Sequence, residues 1–163
     1  MAAQALRGLG QVTDSAVDLP ATSTGARALL DYWTAKRRGG ALPAHADIDP
    51  VEIPRLLPNI ALIEIEPGPR FRYRLVGTEI VRYRDGLEAA DCTGRYADDT
   101  PHHYDHKAAV DDLHAAVAAG RPIYSSRPYS LESGAAGRWE RLVLPLADDG
   151  RRIDRLLIWF RKW

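Results

Sequence analysis

The clearest hydrophobic pattern in the chain predicts a β-hairpin in its first half. Residues 60–65 are mostly apolar, and residues 70–75 alternate strictly between arginine and an apolar residue. A period of two is typical of strands, because successive side chains of a strand point to opposite faces. The Pro-Gly-Pro sequence at 67–69 favours a turn between the two runs. We therefore expect three apolar side chains of the second run to share one face: Phe71, Tyr73 and Leu75.

Two helical signals precede this hairpin. Apolar residues recur at helical spacing over residues 24–38, with Leu29, Leu30 and Trp33 on one face, which predicts an amphipathic helix. The Asp-Pro pair at 49–50 predicts a capped turn just before the first strand. Aspartate is a favoured cap, and proline is a favoured first helical residue.

The second half of the chain predicts a short helix, a long helix and three strands. The helices are expected at residues 77–83 and 101–119, and Gly120 follows the longer one directly. The three strands are expected at residues 122–131, 138–146 and 153–161. This order predicts an α+β domain, in which a five-stranded antiparallel sheet carries helices on one face and is preceded by an N-terminal helix.

The last strand is apolar on both faces, so both faces of the sheet need a cover. In the strand before it, Leu142, Leu144 and Leu146 share a face, which we expect to lie beneath the helices of the second half. We expect the N-terminal helix, from the same chain or from a dimer partner, to cover the outer face. The side chains expected on that outer face are Trp139, Val143, Leu157 and Trp159.

Charge and length exclude some classes of protein. Twenty-two basic and 22 acidic residues give a formal net charge of zero, which argues against nucleic-acid binding. No apolar run approaches the ~20 residues of a membrane span. The single cysteine suits a reducing compartment, so we expect a cytoplasmic protein. We expect residues 1–22 to form a flexible leader and residues 23–163 to form one domain.

The arginine stripe on the second predicted strand is interpreted as a paired surface. Arg70, Arg72 and Arg74 alternate with apolar residues, and the preceding strand carries Glu64 and Glu66. Opposite charges on neighbouring strands stabilise a sheet, so we expect ion pairs between these two rows.

The residues that could carry catalysis or bind a metal do not form a recognisable site. His102, His103 and His106 are close in sequence, but a metal site needs further ligands and supporting hydrogen bonds. The same histidines lie at the solvated start of the long helix, which disfavours an axial haem ligand. Cys92 and the serines lack a nucleophile motif. We therefore expect no metal and no enzymatic activity.

Several separated motifs occur in a distinctive order. They are Tyr32-Trp33, Leu42-Pro43, DIDP at 47–50, IPRLLP at 53–58, FRYRLVGT at 71–78, TGR at 93–95 and RLVLPL at 141–146. This series, over about residues 27–160, resembles a bacterial PAS-like family best known from alphaproteobacteria. The resemblance implies a sensory or protein-interaction module, without an inherited set of catalytic residues and without a defined cofactor.

The candidate site is a pocket between the sheet and the helices. Tyr73 and Tyr83 bring hydroxyl groups among apolar side chains, a mixture typical of small-molecule sites. The first hypothesis is a small-molecule sensor, and the alternative is a ligand-free interaction or dimerisation module with a filled core. In the alternative, the partner is a second copy or a signalling protein. The expected pocket walls are Phe71, Tyr73, Ile80, Tyr83, Leu113, Leu142 and Leu144.

Overall fold

The residues described by the computed structural model are 17–84, 90–100 and 106–163, and they include three α-helices, three short 3₁₀ helices and five strands. The helices are α1 (Thr24–Lys36), α2 (Thr78–Tyr83) and α3 (His106–Ala119). The strands are β1 (Ile60–Glu66), β2 (Arg70–Val76), β3 (Ile123–Ser130), β4 (Ala136–Leu146) and β5 (Arg155–Lys162). The predicted order of elements is confirmed, although positions 101–105 of the predicted long helix lie outside the described residues.

The strands form one sheet in the order β2-β1-β5-β4-β3, and all neighbours are antiparallel. The α+β class and the five-stranded antiparallel sheet are therefore confirmed. The capped turn before β1 is confirmed as well, because an Asp49 side-chain oxygen accepts a 2.9 Å hydrogen bond from the Val51 amide. None of the helices in the described segments combines the length and the apolar character that crossing a bilayer requires.

The inner face of the sheet packs under α2 and α3. Phe71 and Tyr73 of β2 are buried there with Ile80 of α2 and Leu113 of α3. Leu75 does not join them, which corrects the expected alternation. The β1–β2 register shifts between Leu62, which pairs with Leu75, and Ile63, which pairs with Tyr73, so β2 carries one extra residue at this point. A bulge reverses the alternation beyond it, and Leu75 is 45% exposed.

The outer face of the sheet is covered by α1 of the same chain. Leu29, Leu30 and Trp33 are buried in a cluster with Leu157 and Trp159 of β5. The prediction that the N-terminal helix covers this face is confirmed. Two further contacts connect α1 to the 3₁₀ turn Pro50–Glu52. Glu52 accepts a 2.6 Å hydrogen bond from Tyr32 and forms a 2.6 Å ion pair with Lys36.

The two faces of β4 are the reverse of those expected. Leu142, Leu144 and Leu146 belong to the outer cluster beneath α1, whereas Val143 belongs to the inner cluster. Trp139 is four residues from Val143 in the strand, so it shares the face of Val143 and also lies on the inner side. Both faces of β4 are rich in apolar residues, so alternation alone did not distinguish them.

Part of the predicted leader packs on the domain. Leu19 is buried in the outer cluster, and its carbonyl accepts a 3.0 Å hydrogen bond from the Arg27 guanidinium. The leader boundary expected at residue 22 therefore lies too far along the chain. Residues 1–16 lie outside the described residues.

The arginine stripe of β2 is paired as predicted at two of its positions. Arg72 pairs with Glu66 at 3.1 Å, and Arg74 pairs with Glu64 at 3.0 Å. Arg70 instead pairs with Asp99 at 2.8 Å. These exposed pairs contribute little to stability individually.

Candidate ligand-binding site

A cavity of about 70 Å³ lies between the inner face of the sheet and the helices α2 and α3. This volume holds several water molecules or a small organic molecule. Among the described residues that line it, six are aliphatic: Ala61, Ile80, Ala97, Ala109, Leu113 and Ile158. Four are aromatic: Tyr73, Tyr83, Trp139 and Phe160. Three carry other polar groups: Arg84, Cys92 and Arg141.

Arg141 of β4 is the best-positioned charged group in this wall. Its side chain is 9% exposed, and its Nη1 lies 2.6 Å from Oδ2 of Asp112 on α3. The other carboxylate oxygen of Asp112 accepts a 2.9 Å hydrogen bond from Ser125 of β3. The guanidinium carbon lies 4.6 Å from the ring centroid of Trp139 and 5.7 Å from that of Phe160. An ion pair on one side and two aromatic rings therefore hold the guanidinium in one orientation.

Arg84 follows α2 and is also buried in the cavity wall. Its Nε donates a 3.1 Å hydrogen bond to the carbonyl of Ala90. The end of α2 sets the position of the Arg84 side chain, because Arg84 directly follows the last residue of that helix. Together with Arg141, it places a second permanent positive charge beside the cavity.

Two further polar groups of the cavity wall, the Tyr73 hydroxyl and the Cys92 thiol, are uncharged near pH 7. Burial raises the pKa of Tyr73 well above its ordinary value, while the charges of Arg141 and Arg84 act in the opposite direction. Burial also raises the pKa of the Cys92 thiol, and nearby Arg84 only partly offsets this effect. A protonated, buried thiol is a poor nucleophile. The arrangement is therefore suited to binding, with hydrogen-bond donors and positive charge in apolar walls.

A family model for the PAS domain matches residues 21–157 of the sequence. The chain belongs to the PAS-domain family. PAS domains are generally sensory and signalling modules. The observed five-stranded sheet with its helices agrees with the PAS fold.

Solved structures with a similar fold include several light–oxygen–voltage (LOV) domains. One, from work on a flavin analogue, is 14% identical with a TM-score of 0.49, covering 69% of this chain and 82% of that chain. The light-state LOV domain of the blue-light photoreceptor Aureochrome1 is 15% identical with a TM-score of 0.47, covering 69% and 86%. The LOV domain of the Erythrobacter litoralis EL346 blue-light activated histidine kinase is 14% identical with a TM-score of 0.44, covering 63% and 93%. A search of curated proteins found no match to the sequence.

Four of the seven residues predicted to form the pocket line the cavity: Tyr73, Ile80, Tyr83 and Leu113. Phe71 is buried in the inner cluster, edge-on to the ring of His114 at 4.8 Å, but does not line the cavity. Leu142 and Leu144 were placed on the wrong face, because they pack beneath α1. A ligand-binding role for the four lining residues stays a prediction.

Sequence reasoning missed the charged and aromatic part of the cavity wall. The sequence of β4 contained an indication of it, because Arg141 lies between Trp139 and Val143 on one face of the strand. An arginine within an otherwise apolar strand needs a partner for its charge, and Asp112 on the predicted long helix supplies it. Arg84 and Cys92 flank the irregular segment after α2, which has no period from which their direction could be predicted.

The histidine cluster contributes nothing to this site in the part of the chain that the structure describes. His106 begins α3, whereas His102 and His103 lie outside the described residues. Over those described segments, no three histidine, cysteine, aspartate or glutamate side chains are grouped to hold a metal ion. The expectation of no metal or haem at this helix remains a prediction.

Proposed function

We propose that this PAS domain is a sensory module that binds a small molecule in the cavity between its sheet and the helices α2 and α3. The observation that carries the proposal is the cavity wall, where Arg141, Arg84, Tyr73 and Tyr83 are set among apolar side chains. Small-molecule sites commonly combine apolar walls with a few polar groups that orient the guest. The neutral thiol and the absence of an inherited catalytic set favour a binding role without catalysis.

The competing hypothesis, a ligand-free interaction module, was based on the last strand, which is apolar on both faces, and on the aromatic side chains expected on the outer face of the sheet. That face is covered by α1 of the same chain. Among the described residues, the exposed large apolar side chains are Val51, Leu75 and Trp163, which do not adjoin one another in sequence. Scattered apolar residues are normal on a protein surface. In our proposal, the bound state is transmitted in the cytoplasm to a second copy or a signalling partner, without membrane or nucleic-acid binding.

The direct test is to look for a guest that is retained through purification. Mass spectrometry of the natively purified protein, before and after denaturation, should reveal a small molecule released in stoichiometric amount. Ala109→Leu adds bulk to the cavity wall and should abolish retention. Ala118→Leu is the matched control, because Ala118 lies on the exposed side of the same helix.

A retained molecule that Ala109→Leu and Ala118→Leu release equally would mean that the guest lies elsewhere. If the wild-type protein releases nothing and no small molecule from a chemically diverse library raises its melting temperature, the cavity is not a binding site. Both results oppose the proposal.

A further inference from the structure

We infer that the molecule bound in this cavity is a small organic acid whose carboxylate binds the guanidinium of Arg141. The inference rests on the proposed function and names the chemical class of its ligand. The evidence comes from the orientation of Arg141, the charge near the cavity and the apolar character of most of the other described residues in the wall.

The guanidinium of Arg141 has donors to spare. An arginine side chain carries five N–H groups, and Asp112 is the hydrogen-bond acceptor that the described residues provide for it. Asp112 is not one of the residues that line the cavity, whereas Arg141 is. The ion pair therefore holds Arg141 in place through a residue outside the cavity wall, while the guanidinium still borders the cavity. Anchoring reduces the entropy lost when a ligand binds to this group.

An anionic oxygen pair matches the guanidinium better than a neutral group does. Carboxylates accept two parallel hydrogen bonds from arginine, and charge-assisted bonds are roughly twice as strong as neutral ones. Arg84 lines the same cavity, so an anion there would lie near two guanidinium groups and one opposing carboxylate, that of Asp112. Cys92 and Tyr73 do not oppose an anion, because burial raises the pKa of each and keeps it uncharged near pH 7.

The rest of the wall selects the body of the acid. Leu113, Ile158 and Phe160 offer aliphatic and aromatic surface without further charge. A cavity of about 70 Å³ suits a short aliphatic chain, because it has roughly half the volume of a cavity that holds benzene. These features favour a monocarboxylate with a compact apolar body over a di- or tricarboxylate, whose second charge would be buried among apolar groups.

The test compares acids with neutral molecules of the same shape. The full chain is unfolded, freed of any retained molecule and refolded, and calorimetric titrations are run with propionate, propionamide, butyrate and butyramide. At least one acid should bind, with an affinity about tenfold or more above that of its amide. The double variant Arg141→Gln with Asp112→Asn removes the charge without leaving a buried carboxylate unpaired, and it should lose the preference. Arg138→Gln, on the exposed part of the same strand, should keep it.

Circular dichroism and melting curves establish that each variant is folded before titration. A double variant that does not fold would be replaced by Arg141→Lys, which keeps the charge but loses the planar pair of donors and should bind the acid more weakly. An acid among the molecules released from natively purified protein supports the inference. Equal binding of acid and amide, a preference unchanged in a folded variant, or a neutral released molecule overturns the inference and leaves the proposed function intact. If no small molecule is retained and none binds, both fail.

Discussion

The indole Nε1–H of Trp33 donates a 2.9 Å hydrogen bond to the backbone carbonyl of Pro145. Pro145 lies two residues beyond the last pair between β3 and β4, which joins Ile123 to Val143. A proline in a strand is tolerated where no neighbour needs its missing N–H. Trp33 therefore donates to a carbonyl beyond the residues of β4 that pair with β3, and this hydrogen bond connects α1 to the sheet.

Trp33→Phe should lower the free energy of unfolding by about 1 to 3 kcal/mol, because it leaves the buried Pro145 carbonyl without this donor. Phenylalanine retains most of the apolar contact with the outer cluster. The change is measured by urea unfolding at constant denaturant slope. Trp163→Phe, at a half-exposed C-terminal residue, is the control and should change stability by less than about 0.5 kcal/mol. Equal effects of the two changes would show that the bond does not stabilise the docked helix.

A buried carboxylate forms a second connection between α1 and the sheet. Glu140 of β4 is fully buried and accepts hydrogen bonds from Ser23, just before α1, from Tyr124 at 2.9 Å and from the Trp159 indole at 3.3 Å. Glu140→Gln replaces one accepting oxygen with an amide donor that faces other donors. We expect a loss of about 1.5 to 3 kcal/mol, the range for hydrogen bonds to a charged group.

Chemical denaturation of Glu140→Gln, Tyr124→Phe and the double variant measures this network. The sum of the stability losses in the two single variants should exceed the loss in the double variant, because both changes remove the same hydrogen bond. Glu132→Gln, at an exposed position, is the matched control. Strict additivity would mean that Tyr124 and Glu140 do not interact in solution.

Gly25 tests how closely α1 approaches β5. A Cβ atom at this position would lie 2.2 Å from Cζ2 of Trp159, which is buried. In an exposed helix, Gly→Ala stabilises by up to about 1 kcal/mol. Here overpacking against the indole should reverse the sign and cost about 1 to 3 kcal/mol. Thermal unfolding of Gly25→Ala decides between the two signs, and a raised melting temperature would contradict the docked position of α1.

The sequence predicted which elements form and how they are ordered, because the periods of its hydrophobic residues are strong. It did not predict which side of β4 faces the cavity. Leu142 and Leu144 alternate with Arg141 and Val143, and both faces of the strand also carry charge, Arg141 on one and Arg138 with Glu140 on the other, so the two faces look alike. What distinguishes them is tertiary: Asp112 of α3 pairs with Arg141 on one face, and Ser23 before α1 pairs with Glu140 on the other.

The bulge in β2 illustrates the same limit. The alternation of residues 70–75 is unbroken in the sequence, yet Leu75 points away from Tyr73 because the register with β1 shifts. A register shift is a property of two strands together, so the pattern of one strand cannot contain it. Four of the predicted pocket residues were nevertheless correct in position, because they lie before the shift or on the helices.

The buried thiol of Cys92 predicts a fall in stability at alkaline pH. Burial raises the pKa of this thiol in the folded protein, whereas in the unfolded chain it is about 8.5. Above that value the unfolded chain releases a proton that the folded protein retains. The free energy of unfolding should therefore be constant with respect to this group below about pH 8 and fall as the pH rises toward the folded-state pKa.

Urea unfolding between pH 7 and 9.5, with a reductant present, measures the slope below about pH 10, where unperturbed tyrosines of an unfolded chain titrate. Cys92→Ala should be less stable at pH 7 because it leaves a small cavity, but its stability should fall less between the two pH values. The native thiol should also react with a thiol reagent much more slowly than the unfolded one, because Cys92 is buried. A slope that Cys92→Ala leaves unchanged would assign the alkaline loss to other groups. Rapid reaction of the native thiol would show that the cavity wall opens readily around Cys92.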